Sequence, residues 1–259
     1  MVLFVHGLLV NGLLWRKVVP KLGGQFRCIT PDWPLGSHQV AMNPEADLGL
    51  PALAGLIAEF MEALDLREVT LVGNDTGGAL CQMVAAWHSD RLARLVLTPC
   101  DAFEDDMPTA FEYFKVVART PGATWLLAQS MRLPLNRRLP IAYGWLGTIP
   151  DEITDAYARP VREDPGVLHD AIKTIRSISK VHTQAAAEGL PKFDRPVLIA
   201  WPRHCHFFPF KNAQRLAKTF PNARLVEIEG SQAFVSEDQP ERLAELIADF
   251  ARSSRTSTP

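Results

Sequence analysis

Residues 69–78, Val-Thr-Leu-Val-Gly-Asn-Asp-Thr-Gly-Gly, constrain the fold more than any other stretch of the chain. The apolar run 69–72 reads as a buried strand, and an amphipathic helix is expected from Ala79 to about His88. Gly73 and Gly77 each stand two residues from Asp75. A strand that turns this sharply into a helix forces its central residue into strained backbone angles, so the residues around it must lack bulk. That is the geometry of a nucleophile elbow, which raises one reactive side chain above a sheet. Serine is the common occupant of the centre; here it is Asp75. An aspartate is also a good helix cap and is favoured by the helix dipole. The flanking glycines exceed what a cap needs, so Asp75 is read as a site residue.

The rest of the chain supplies an α/β rhythm around this point. Val2–Val5 reads as a short central strand ending at His6-Gly7-Leu8-Leu9, and residues 12–22 as a helix or helical turn. Residues 26–30 form the next expected strand, stopped by Pro31-Asp32-Trp33-Pro34, and a loop runs to about Leu50. Leu53, Leu56, Ile57, Phe60 and Leu64 share one face of a helix. After the elbow come a strand at residues 94–97 and then Thr98-Pro99-Cys100-Asp101. Residues 102–190 differ: they carry helical patterns broken by prolines and no convincing strand. Strand, helix and strand resume at 196–201, 212–219 and 224–228, and a last helix carries Leu243, Leu246, Ile247 and Phe250. This alternation implies a mostly parallel sheet covered on both faces, with ligands bound beyond the carboxyl ends of its strands. The domains expected are an α/β core of residues 1–101 and 191–252, a helical cap of 102–190 over the site, and a disordered polar tail of 253–259.

Composition sets the outer limits. The 259 residues suit one large α/β domain or a core with an insertion. A net charge of −2 gives no electrostatic footprint for nucleic acid or an anionic membrane. No apolar run approaches the roughly 20 residues that span a bilayer, and the first residues do not read as a signal peptide. Cys28, Cys81, Cys100 and Cys205 are far apart, which suits reduced thiols in the cytoplasm. Neither nucleic acid nor membrane is an expected partner. A small-molecule substrate or ligand is, and a homodimer is compatible with the sequence. No cofactor or metal is expected.

With His6-Gly7 after the first strand, the elbow at 73–77, an inserted cap and two closing strand–loop units, the chain resembles the α/β-hydrolase superfamily over nearly its whole length. The aspartate in the elbow is similar to the haloalkane dehalogenase and epoxide hydrolase branch. The resemblance implies that the Asp75 carboxylate attacks carbon to form an ester, which a histidine-activated water then hydrolyses. It implies an oxyanion hole built from the Leu8 and Thr76 N–H groups. It also implies a hairpin ahead of the first strand, whereas this chain starts inside that strand. Asp101 matches one of the two positions of the family's catalytic acid; a helix cap or surface carboxylate is the alternative for it. The other acid position is Cys205. The family's histidine falls at Ala233, just before Phe234, and no histidine follows His206.

Further departures narrow the chemistry. Dehalogenases of this type hold the halide with a tryptophan after the nucleophile, where this chain has Thr76, so dehalogenation is disfavoured. Epoxide hydrolases use cap tyrosines, and Tyr113, Tyr143 and Tyr157 all lie in the cap, although a tyrosine is more often a packed residue with a wet tip. His204 and His206 border the site: a surface pair is the first reading, a substitute base (His206) the second, a metal site the third. His6 is read as tying the oxyanion loop, and His6, Asn74, Ala233 and Phe234 are placed around the substrate. His88, His169 and His182 are expected at the surface, and His38 in the loop after Pro31. The expected function is hydrolysis of an epoxide, ester or similar bond in a small, mainly apolar molecule, with an incomplete triad. The alternative is a degenerate hydrolase that binds a ligand without turnover.

Overall fold

The computed structural model describes residues 1–253; the expected polar tail lies outside the described residues from 254 onward. Six strands form one sheet: β1 (Val2–Val5), β2 (Cys28–Ile29), β3 (Val69–Gly73), β4 (Leu92–Leu97), β5 (Val197–Trp201) and β6 (Ala223–Glu227). Their order is β2-β1-β3-β4-β5-β6 and every pairing is parallel. β1, β3 and β5 are buried along their whole length, as central parallel strands covered on both faces must be. At the edge, β2 is shorter than the expected 26–30: Pro31, with no N–H to give a ladder, follows closely, and its two residues are half-buried.

Twelve α-helices occur among the described residues. In the first half are α1 (Val19–Leu22), α2 (Leu50–Ala63) and α3 (Thr76–Trp87). The inserted region holds α4 (Tyr113–Val117), α5 (Ala123–Ser130), α6 (Pro134–Arg137), α7 (Asp151–Glu163), α8 (Pro165–Ser177) and α9 (Lys180–Gly189). The closing part holds α10 (Phe210–Thr219), α11 (Val235–Asp238) and α12 (Pro240–Ser253). The elbow helix α3 packs against both α2 and α9, so the last helix of the inserted region lies in the core layer beside α3.

Prolines set the outline of the inserted region. Pro134 and Pro165 stand in the first turns of α6 and α8, where a missing N–H costs nothing. Asp164 caps α8 by accepting from Gly166 N at 2.7 Å. The region is fastened to the core by hydrogen bonds: Tyr143 donates to Leu9 O (2.9 Å) and Phe234 N to Leu146 O (2.7 Å). A buried pair, His38 Nε2 to Asp170 Oδ2 at 3.0 Å, joins the loop after β2 to α8. No helix among the described residues is long and apolar enough to cross a membrane.

Candidate active site

The elbow is built as its residues require. Asp75 stands between β3 and α3 with φ 57° and ψ −136°, a backbone conformation that L-residues rarely adopt. Its N–H donates to Pro99 O at 2.7 Å, which fastens the turn to the loop after β4. Two close approaches explain the glycines. A Cβ on Gly77 would lie 2.5 Å from Val5 O, and a Cβ on Gly7 would lie 2.5 Å from Asp75 Cβ. The first strand's loop and the elbow can therefore touch backbone to backbone.

This contact aims three donors at one atom. Leu8 N (3.3 Å), Thr76 N (2.6 Å) and Thr76 Oγ1 (3.0 Å) all donate to Asp75 Oδ1. The two N–H groups expected to form an oxyanion hole are thus brought together on the carboxylate itself, and Oδ2 accepts none of these bonds. Burial pushes the Asp75 pKa up, while the bonds from Thr76 and Leu8 oppose the shift.

Asp75 lies at the floor of a cavity between core and cap, with about 920 Å³ of empty space including its mouth. Its polar floor is Asp75, Thr76 and Asp101, and its walls are apolar: Leu8 and Leu9 from the core, and Met107, Phe111, Phe114, Leu127, Met131, Leu146 and Ile175 from the inserted region. An apolar cavity with a few convergent polar groups is the usual form of a small-molecule site. Asp101 is 4% exposed, and its Oδ1 has no hydrogen-bond partner. Its pKa is pushed well above the usual carboxylate range, by burial first and then by the negative charge of Asp75.

Other residues singled out in the sequence take different places. His6 is fully buried and holds the oxyanion loop: Trp33 N donates to its Nε2 at 2.8 Å, so the neutral ring gives its Nδ1 proton to Gly7 O at 2.9 Å. Burial lowers its pKa to about 4. It does not line the cavity, which corrects its expected placement around the substrate. Asn74 also lies off the cavity wall. Its amide nitrogen donates to Thr98 Oγ1 (2.9 Å), Pro99 O (3.0 Å) and Ala233 O (2.8 Å), and so ties the elbow to two neighbouring loops. Ala233 and Phe234 are buried and do not line the cavity, and Phe234 N donates to Leu146 O.

The expectation of His206 as a substitute base is also corrected. Its ring is exposed, held by Gln232 Oε1 at 2.6 Å from Nδ1 and stacked on Trp145 at 4.8 Å, and no histidine is among the hydrogen-bond partners of Asp75. Among the described residues, no three His, Cys, Asp or Glu side chains cluster as a metal site. Tyr113 and Tyr143 line the cavity, but their hydroxyls donate to Ile141 O and Leu9 O, both at 2.9 Å. Tyr157 is fully buried away from it. The His38–Asp170 pair escaped the sequence reading because its partners lie 132 positions apart with no shared motif.

Comparison with known proteins agrees with this architecture. A model of the alpha/beta hydrolase fold matches residues 1–240. An uncharacterised hydrolase, YugF, from Bacillus subtilis (strain 168) is 25% identical over 254 residues, covering 96% of this chain and 88% of the relative. Haloalkane dehalogenase 2 of Mycobacterium bovis is 26% identical over 255 residues, covering 96% and 86%. The solved structure of a thermophilic esterase from Thermogutta terrifontis superposes with a TM-score of 0.77 at 22% identity, covering 98% of this chain and 90% of that one. With its parallel sheet, elbow and capped cavity in place, the chain belongs to the alpha/beta hydrolase fold family.

Proposed function

We propose that this protein is a hydrolase in which Asp75 attacks an electrophilic carbon of a small, mainly apolar substrate, an epoxide or a comparable activated C–O compound. One observation carries the reading: three donors hold Asp75 Oδ1 and leave Oδ2 unengaged at the floor of an apolar cavity. Attack through Oδ2 turns Oδ1 into the carbonyl oxygen of the new ester. The Leu8 and Thr76 N–H groups then stand where negative charge develops when water adds to that ester. Dehalogenation is a competing reading, since it is the activity in the names of several relatives. Against it, no tryptophan or asparagine lines the cavity among the described residues, so no side-chain indole or amide N–H is present there to hold a departing halide.

The test is incubation with a panel of epoxides, haloalkanes and esters, comparing wild type with Asp75→Ala and following both product and intact mass. Product, or a covalent adduct on Asp75, in wild type alone supports the assignment. Equal background rates from the two proteins would sink it.

A second reading is favoured by one specific observation: the family's histidine position is Ala233, buried and packed off the cavity. On that reading the protein binds an apolar ligand without turnover. Saturable binding that survives Asp75→Ala, with no product formed, would support it. A stoichiometric adduct on Asp75 would count against it.

A further inference from the structure

A nucleophile that expels oxygen needs a proton for that oxygen, and the ester it forms needs a base for water. Among the described residues the cavity offers four titratable side chains: Asp75, Asp101, Tyr113 and Tyr143. Both tyrosine hydroxyls are engaged with backbone carbonyls.

Asp101 remains. It faces the same cavity as Asp75, it is 4% exposed, and its Oδ1 is buried without a partner. Its backbone is fixed by the elbow helix: Gln82 Nε2, on α3, donates to Asp101 O at 2.9 Å. The charges around it do not neutralise a carboxylate. Lys115 is engaged with Asp106 and Glu112, at 3.1 and 3.2 Å, while Asp75, Asp105 and Asp106 add negative charge. A buried carboxyl whose Oδ1 lacks a donor, with negative charge beside it, holds its proton to higher pH than a free aspartate does.

We propose that Asp101 is the acid–base residue of this cavity, protonating the oxygen that leaves carbon and later accepting a proton from the attacking water. The substrate is accordingly one whose leaving group is oxygen, an epoxide, because a halide needs no proton. This rests on the assignment of Asp75 as nucleophile. In the first step an Asp75 Oδ2 lone pair forms a bond to a ring carbon. The carbon–oxygen bond breaks, and the oxygen takes the Asp101 proton. The products are a hydroxyalkyl ester of Asp75 and an Asp101 carboxylate.

In the second step water adds to the ester carbonyl carbon and gives one proton to Asp101. The tetrahedral oxyanion sits on Oδ1, against Leu8 N and Thr76 N. It collapses by breaking the bond to the alkoxy oxygen, which leaves with the proton of the added hydroxyl. Epoxide and water become a diol, and both aspartates return to their starting states. No histidine is needed.

Two measurements test this. The infrared spectrum of wild type near neutral pH should contain the carbonyl stretch of a protonated carboxylic acid, and Asp101→Asn should lose it. A spectrum without that band, or a band that persists in the variant, overturns the proposal whatever the activity. Modification of Asp75 by a terminal alkyl epoxide and by a primary alkyl iodide of equal length is then followed by mass spectrometry. Asp101→Asn should slow the epoxide reaction by about 100-fold or more, the usual contribution of general acid catalysis, and leave the iodide reaction within a few-fold. Equal slowing of both, or of neither, overturns the role of Asp101 alone. Failure of wild type to react with either compound removes the Asp75 assignment and this mechanism together.

Discussion

Replacing Asp101 by Asn should make the protein more stable near neutral pH, and the gain should grow with pH. Asp101 has its folded pKa raised, by burial first and by the Asp75 charge second. The unfolded chain releases this proton above about pH 3.9, the ordinary aspartate value. The folded protein retains it to higher pH. Stability from this group is therefore fully present below that pKa, and it is lost as pH rises towards the folded pKa, by about 1.4 kcal/mol per pH unit. Asparagine keeps the shape of the neutral acid and has no proton to release. Asp75, also shifted upward, remains in both proteins.

Urea unfolding of wild type and Asp101→Asn in matched buffers from about pH 5 to about pH 7 should therefore show a gap that widens by up to about 3 kcal/mol. Parallel curves would refute the reasoning, because they would mean that Asp101 titrates alike in the folded and unfolded chains. A variant less stable at every pH would mean that the carboxylate is stabilised by partners the structure does not contain.

Four further outcomes follow from the same geometry. Gly7→Ala places a methyl 2.5 Å from Asp75 Cβ, so the midpoint of thermal unfolding should drop, for a cost of about 1–3 kcal/mol. Asn74→Ala removes the donor shared by Thr98, Pro99 and Ala233, and a loss of roughly 2–4 kcal/mol should appear in denaturant unfolding. His38→Ala leaves Asp170 Oδ2 with the Met42 N–H alone. It should cost about 2–3 kcal/mol and raise proteolytic cleavage in the inserted region. His6 has its pKa lowered to about 4 by burial, so its neutral form is favoured by folding. That stability is present above the unfolded pKa of about 6.5 and falls away through about pH 4, on the order of 3 kcal/mol in all, which an acid unfolding titration should reveal.

The sequence alone was enough to locate the elbow, because its constraint is local. A β-branched run, a reactive residue and small neighbours at fixed offsets describe one strained turn wherever it occurs, and Asp75 has the positive φ that the pattern demands. The parallel sheet was legible for the same reason: short apolar runs alternate with helical periodicity. The role of His6 in tying the loop after β1 could be read as well, whereas the close approach that requires Gly7 came only with the structure.

Tertiary structure decided what faces the cavity. His206 is near in sequence terms to the acid position, yet its side chain turns outward to Gln232 and Trp145. Ala233, Phe234 and Asn74 follow site-like positions but spend their contacts on packing and on joining loops. The tyrosines reach the cavity with their hydroxyls already bonded, which composition cannot reveal. Asp101 shows the difference most clearly. Its position after β4 could be read in the chain, but the burial of its Oδ1 without a donor, in a cavity walled by the inserted region, could not. Backbone strain is written into neighbouring residues. Solvation and charge at a buried carboxyl are set by residues distant in sequence, so only the folded protein determines them.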